Sequence, residues 1–145
     1  MDFMTAIDIG ASGLTAERTH LNVVSMNLAN ANTTKGPDGL PYRRKQISFK
    51  AVPAEPTFEK QMKNALTREL HGVEVDSIRE DPRPFRRVYD PGHPDAGEDG
   101  YVNYPDINVV QEMASMMTIM RSYEACATSI STTKTMFNKA LELGQ

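Results

Sequence analysis

The stretch NVVQEMASMMTIMRSYEACATSISTTKTMFNKALEL, residues 108–143, decides how this chain folds. Read from Val109 in steps that alternate four and three, it sets Val109, Met113, Met116, Met120, Tyr123, Ala127, Ile130, Lys134, Phe137 and Leu141 on one ladder, and only Lys134 breaks the apolar pattern. Alternating steps average about 3.5 residues, so these side chains stay on one stripe of a helix instead of drifting around it. No proline interrupts the run. Asn108, with Gln111 three positions on, offers a capping-box-like start, and Gly144 stands where a helix stop belongs. At ~1.5 Å per residue the predicted helix reaches roughly 50 Å, more than a domain of this size buries by itself.

Val110, Met117, Ile119 and Cys126 flank the ladder and widen the apolar surface beyond what a single partner helix covers. The opposite face carries Ser115, Thr118, Ser122, Thr128, Ser129, Ser131, Thr132 and Thr135, with Arg121 and Glu124 the only charges between Met113 and Thr133. A solvated helix face normally carries Lys and Glu. Small hydroxyl residues suit close packing among several helices.

Residues 3–30 read as a second helix of the same kind. Its ladder is Phe3, Ile7, Gly10, Leu14, Glu17, Leu21, Val24 and Leu28, apolar at all but Gly10 and Glu17. Gly10 and Gly13 lower helix propensity by ~1 kcal/mol each relative to alanine, and the stretch Gly10-Ala11-Ser12-Gly13 lacks the lysine and spacing of a phosphate loop, so it reads as small residues for close packing. A run rich in Asn and Thr, Asn27 to Thr34, followed by Lys35-Gly36-Pro37-Asp38-Gly39, ends the helix in a turn. The apolar members of the two ladders, Ala127 excepted, together with Met117, form the candidate assembly surface.

All nine prolines fall between Pro37 and Pro105, so the middle obeys different rules from the ends. The chain divides accordingly into an N-terminal helix and turn at 1–34, a small β-containing region at 35–107 and a C-terminal helix at 108–145. Tyr42 to Val52 alternates, with Ile47, Phe49 and Ala51 on one face, as a half-buried strand does. Val73, Val75 and then Val88-Tyr89 suggest a partner strand or two. Pro56 to Leu70 fits a short amphipathic helix or an ordered loop, and Asp81 to Asp106 reads as an extended Pro-rich crossing segment with little regular structure. The predicted fold is mainly α, with long terminal helices and a small β-rich middle.

Composition narrows the function. Of 145 residues 39% are hydrophobic, with no Trp and five Phe, which is thin for a compact core. The methionines gather in the two terminal segments, where flexible thioethers fit irregular helix contacts. A net charge of −3 with both signs interspersed favours neither nucleic acid nor an anionic membrane as partner. Arg43-Arg44-Lys45 and Arg86-Arg87 have no interleaved aromatics and read as strand-edge charges. The start, Met1-Asp2-Phe3, brings no basic region and no long apolar run, so neither a cleaved secretory signal nor a membrane span is expected.

Catalytic chemistry finds little support. Asp90, His93, Asp95, Glu98 and Asp99 place four carboxylates and an imidazole within ten residues, the basis of an alternative reading as a metal-binding module centred on the His93 loop. A calcium loop starting at Asp95 has Gly97 where a ligand is needed and Asp106 where Glu belongs. The preferred reading of that loop is an exposed polar turn, and Cys126, the single cysteine, is read as a small buried hydrophobe. No catalytic residue, cofactor or metal is therefore expected.

Ala11-Ser12-Gly13-Leu14-Thr15-Ala16-Glu17-Arg18, continuing to Asn27-Leu28-Ala29-Asn30-Ala31-Asn32-Thr33, resembles the N-terminal signature of the flagellar axial proteins, the family of rod, hook and hook-associated subunits. Tyr89-Asp90-Pro91-Gly92-His93-Pro94-Asp95-Ala96, Gly100-Tyr101-Val102, Asn108 to Met113, Arg121 to Ala125 and Leu143-Gly144-Gln145 narrow the resemblance to the proximal-rod members, over nearly the whole length. Cys126 stands where that family often has Asn, and Pro53 to Glu69 matches no family pattern. The resemblance implies a structural subunit of the bacterial basal-body rod that transmits torque across the periplasm. It also implies, as partners, copies of itself, other rod proteins and the flagellar type III export apparatus, with export that leaves no cleaved signal peptide. Finally, it implies that the terminal helices pack as an antiparallel coiled coil. Matching the ladders then sets paired positions to sum to about 144, with Phe3 facing Leu141, Ile7 facing Phe137, Gly10 facing Lys134, Leu14 facing Ile130, Leu21 facing Tyr123 and Val24 facing Met120.

Overall fold

The computed structural model describes residues 3–53 and 70–143. The expectation for Pro56 to Leu70 falls almost wholly outside them. Six elements follow in order: α1 (Phe3–Ala29), β1 (Lys45–Pro53), β2 (His71–Glu80), β3 (Arg86–Tyr89), β4 (Tyr101–Tyr104) and α2 (Val109–Leu143).

Both helices have local reasons for their ends. Asn108 caps α2: its Oδ1 accepts the Gln111 amide at 3.2 Å and its carbonyl accepts the Glu112 amide at 3.0 Å. α1 closes on Asn30, whose backbone N–H and side-chain Nδ2 both donate to the Met26 carbonyl, at 3.1 and 2.8 Å. The following loop turns tightly because Gly39 adopts φ +75°, which lets the Gly36 amide reach the Leu40 carbonyl at 2.8 Å.

The strands form two separate ribbons, β1 with β2 and β3 with β4. The first is antiparallel: the Asp81 amide donates to the Arg44 carbonyl at one end, and Lys50 faces Glu74 at 3.2 Å further along. In the second, Arg86 pairs with Tyr104, Arg87 with Asn103, Val88 with Val102 and Tyr89 with Tyr101. This ribbon corrects the reading of Asp81 to Asp106 as a crossing segment with little regular structure. Pro91 and Pro94 lie in its turn and Pro84 and Pro105 lie outside its strands, so none removes a ladder hydrogen bond. Gly100 turns the chain into β4 at φ +73°, and Tyr89 lies where a side chain at that position would be.

By contact density the chain forms two compact units, one drawn from residues 1–20, 48–77 and 119–145, the other from 21–47 and 78–118. In the first, α1 and α2 run antiparallel. The Phe3 and Phe137 rings meet edge-on at 5.6 Å, a Cβ on Gly10 would stand 2.7 Å from Ile130 Cγ1, and one on Gly13 would stand 3.3 Å from Cys126 Sγ. These pairs sum to about 140, so the expected register near 144 is corrected by about one helical turn. The missing side chain at Gly10 admits the branched Ile130. The ladder match instead places Lys134 opposite Gly10.

In the same unit the other flank of α1 meets the β1–β2 ribbon. The Val73 amide donates to Ser12 Oγ at 3.1 Å, and His20 packs edge-on to Phe49 at 5.5 Å. The second unit has its apolar core at Val23, Val24, Ala31 and Val102, all nearly fully buried. Buried with them is a polar cluster.

Candidate assembly surface and buried polar centre

The polar cluster is built on Asn27 and Glu112, each 1% exposed. Asn27 is fully satisfied: Oδ1 accepts the Lys45 amide at 2.9 Å and the Tyr42 hydroxyl at 3.0 Å, while Nδ2 donates to the Lys45 carbonyl at 2.9 Å and to Glu112 Oε2 at 3.4 Å. Its amide thus pairs with both backbone groups of the first residue of β1, as a neighbouring strand would. Arg44 holds the other oxygen of Glu112, with Nε and Nη2 each 2.7 Å from Oε1. Burial, with the charges of Glu112 and Glu80, pushes the Tyr42 phenol above its ordinary range.

Asp81 extends the cluster from the end of β2. Arg83 donates to it from Nε at 2.8 Å and lies against it through Nη2 at 2.7 Å, Gln46 Nε2 donates at 2.8 Å, and Arg44 Nη1 stands 3.8 Å away. The Arg83 contacts above all hold the Asp81 carboxyl down at about 2, against the opposing effect of its burial. None of Asn27, Arg44, Asp81 or Glu112 was a candidate site residue, and Arg44 read as a strand-edge charge. The available signal was a charged residue in the first turn of a helix otherwise short of charge, facing a basic run before a strand.

The sequence-derived candidates behave differently. On α2 most of the ladder does not supply the buried face: Glu112 and Ile119 are buried and Ser115, Met116, Ser122, Cys126, Ile130 and Thr133 half-buried, a stripe with the same average step of about 3.5 residues but set mostly one position back from the ladder. Val109, Met113, Met117, Met120, Tyr123, Phe137 and Leu141 are exposed, Met117 by 60% and Met120 by 50%. Met116 and Ile130 are half-buried, and Val110, outside the ladder, is 76% exposed. Ile119, Met116 and Ile130 thus serve contacts within the chain together with small residues, while Met113, Met117 and Met120 point outward. On α1, Val24 is buried, Ile7, Leu14, Leu21 and Leu28 are half-buried, and Phe3 sits at the margin against Phe137.

The His93 loop forms no ligand set. His93 Nδ1 accepts the Asp95 amide at 3.1 Å, Asp90 Oδ1 accepts the Gly92 amide at 3.2 Å, and Asp95 Oδ2 accepts the Thr34 hydroxyl at 2.7 Å. The first two are local turn bonds and the third ties the loop to the segment after α1, and among the described residues no three His, Cys, Asp or Glu side chains come together to hold a metal ion. Nor, among those residues, is any helix long and apolar enough to cross a membrane.

The terminal helices leave apolar side chains uncovered, and both match known families. Residues 7–37 match the family described as "Flagella basal body rod protein", and residues 98–143 match "Flagellar basal body rod FlgEFG protein C-terminal". Three curated relatives, each called "Flagellar basal-body rod protein FlgC", align along the chain. That of Salmonella typhimurium is 41% identical over 100% of both chains, that of Bacillus subtilis 40% over 97% of both, and that of Borreliella burgdorferi 38% over 100% of this chain and 99% of its own. The chain belongs to the FlgC family of flagellar basal-body rod proteins.

Proposed function

We propose that this rod subunit polymerises through its terminal helices, with copies of itself and with other rod proteins, to form a shaft that carries torque across the periplasm. Three segments divide the work in this reading: 1–34 and 108–145 assemble, and 35–107 decorates and spaces them. The subunit travels through the flagellar type III export apparatus, without a cleaved signal peptide. Within it α1 and α2 act as an antiparallel coiled coil, while the exposed Pro-rich turn of the β3–β4 ribbon faces neighbouring components.

The observation that carries this reading is the row of exposed Val110, Met113, Met117 and Met120 on α2, followed by Tyr123 at 42%. Side chains of that size are worth ~1.5–3 kcal/mol each when covered, and flexible thioethers adapt to unlike neighbours. Glu112 and Ile119 sit on the buried side of the same helix, so the exposed row is free for a second chain.

Met120→Asp tests it. Because Met120 is half-exposed, the charge is solvated in the single chain and leaves the subunit folded and secreted, but it is stranded when a neighbour covers it. Loss of motility with a rod that stops at this subunit is expected, whereas His93→Ala swims normally. Normal rods and motility in Met120→Asp would sink the assembly reading.

A further inference from the structure

The inward face of α2 between Glu112 and Cys126 carries Ile119 as its one deeply buried apolar side chain, with Ser115, Met116 and Ser122 half-buried, so apolar packing along it specifies poorly which turn of α2 stands opposite which turn of α1. In the second unit the contact across the helices is instead polar. Glu112 and Asn27 are each buried to 1% exposure and meet at 3.4 Å, and Arg44, just before β1, closes on Glu112 with two contacts of 2.7 Å.

We infer that Asn27, Arg44 and Glu112 form a register pin that selects one alignment of α1, the start of β1 and α2 among those the apolar ladders allow. A slip of one turn moves α2 by about 5.4 Å. It would bring Asn108 or Met116 to the place of Glu112. The Arg44 guanidinium, a quarter exposed, would then keep only the longer Asp81 contact at 3.8 Å, the buried Asn27 Nδ2 would lose its second acceptor, and the carboxylate of Glu112 would need a new partner. Every hydrogen-bonding position of the Asn27 amide is in use, and the one filled from α2 is the contact with Glu112, so a slip of α2 empties that position. The pin acts by penalising wrong alignments, as single buried polar residues do in coiled coils, and it is distinct from the exposed surface that meets other subunits.

The double substitution Arg44→Met with Glu112→Met removes the polar requirement while filling similar space. Register is read by intrachain disulfide formation in the full-length chain, oxidised under assembling conditions, with an isotopically mixed sample separating intrachain from interchain bonds. Gly13→Cys reports the observed alignment by bonding to the native Cys126, since its Cβ would lie 3.3 Å from that Sγ. Gly13→Cys with Ile130→Cys and Cys126→Ser reports the alignment slipped by one turn. With Arg44 and Glu112 in place, the first bond should form at least about tenfold faster than the second. In the double methionine variant that ratio should fall several-fold toward unity while both bonds still form. Replacing the exposed pair Lys50 and Glu74 by methionines, as a control, should leave the ratio unchanged. An unchanged ratio in the Arg44 and Glu112 variant would overturn the inference. So would failure of either bond to form there, since the pin would then be holding the helices together and not choosing their alignment.

Discussion

Gly10 and Gly13 lie one turn apart on α1 and face the same helix, yet a methyl group is tolerated differently at each. At Gly10 the new Cβ meets Ile130 Cγ1 at 2.7 Å and Cδ1 at 3.2 Å, and a β-branched side chain has little rotamer freedom with which to retreat. Overpacking of that kind costs ~1–3 kcal/mol, more than the ~1 kcal/mol alanine returns in helix propensity. At Gly13 the only close neighbour among the described residues is Cys126 Sγ at 3.3 Å, which gives way by a few tenths of an ångström. Gly10→Ala is therefore expected to destabilise by up to about 2 kcal/mol, and Gly13→Ala to be neutral or to stabilise by up to ~1 kcal/mol. Denaturant midpoints decide it; a Gly10→Ala chain more stable than Gly13→Ala would contradict the packing. That close packing was legible from the two glycines, but their partners were not, because several α2 residues at heptad spacing compete for one gap.

Among the elements, the ends of β1 and β2 depend on one carboxylate. Asp81 receives Gln46 from β1 and Arg83 from the segment beyond β2, and its amide closes the ribbon on the Arg44 carbonyl. Its pKa is lowered from 3.8 to about 2, chiefly by the hydrogen bond from Arg83, so the folded chain favours the charged form. A depressed carboxylate stabilises fully above its unfolded pKa, and that contribution drains away as pH falls from about 4 to about 2. Because Arg83 is half-exposed, solvent screening limits the effect to about 1–2 kcal/mol. Asp81→Asn should flatten the loss of stability over that window by the same amount, measured by urea unfolding at a series of pH values; parallel curves for the two proteins would rule this out. Sequence alternation found β1, and the valines at 73 and 75 marked β2, whereas Val88-Tyr89 marked a strand that pairs with β4 and not with β1. The sequence reading missed β4 because Tyr101 to Tyr104 is four residues in a proline-rich stretch, too short for alternation to register.

At the scale of the whole molecule, few apolar side chains are deeply covered. Among the described residues only Ala16, Val23, Val24, Ala31, Val102 and Ile119 form the buried apolar core, three of them on α1 and one on the 35 residues of α2. Ordering each helical residue costs ~1–2 kcal/mol, and a helix with one buried apolar side chain recovers little of that on its own. The dilute full-length chain is accordingly expected to be cut by protease within 3–34 and 108–143, and assembly to protect both segments. Ends that survive limited proteolysis in the dilute chain would show that the subunit needs no neighbour to hold its helices.

The sequence by itself determined that two long helices stand at the ends, that a β-rich stretch lies between them, and which family the chain belongs to, because periodicity, proline placement and short motifs are local properties. Only the tertiary structure decided which face of α2 turns inward, which turns of the two helices meet, and that Asn27, Arg44 and Glu112 close on one another. A helix with apolar residues on more than one side does not choose among its faces. That choice was made by a glycine gap, a branched side chain and a buried carboxylate, whose partners lie far away in the chain: 85 residues separate Asn27 from Glu112, and 68 separate Arg44 from it.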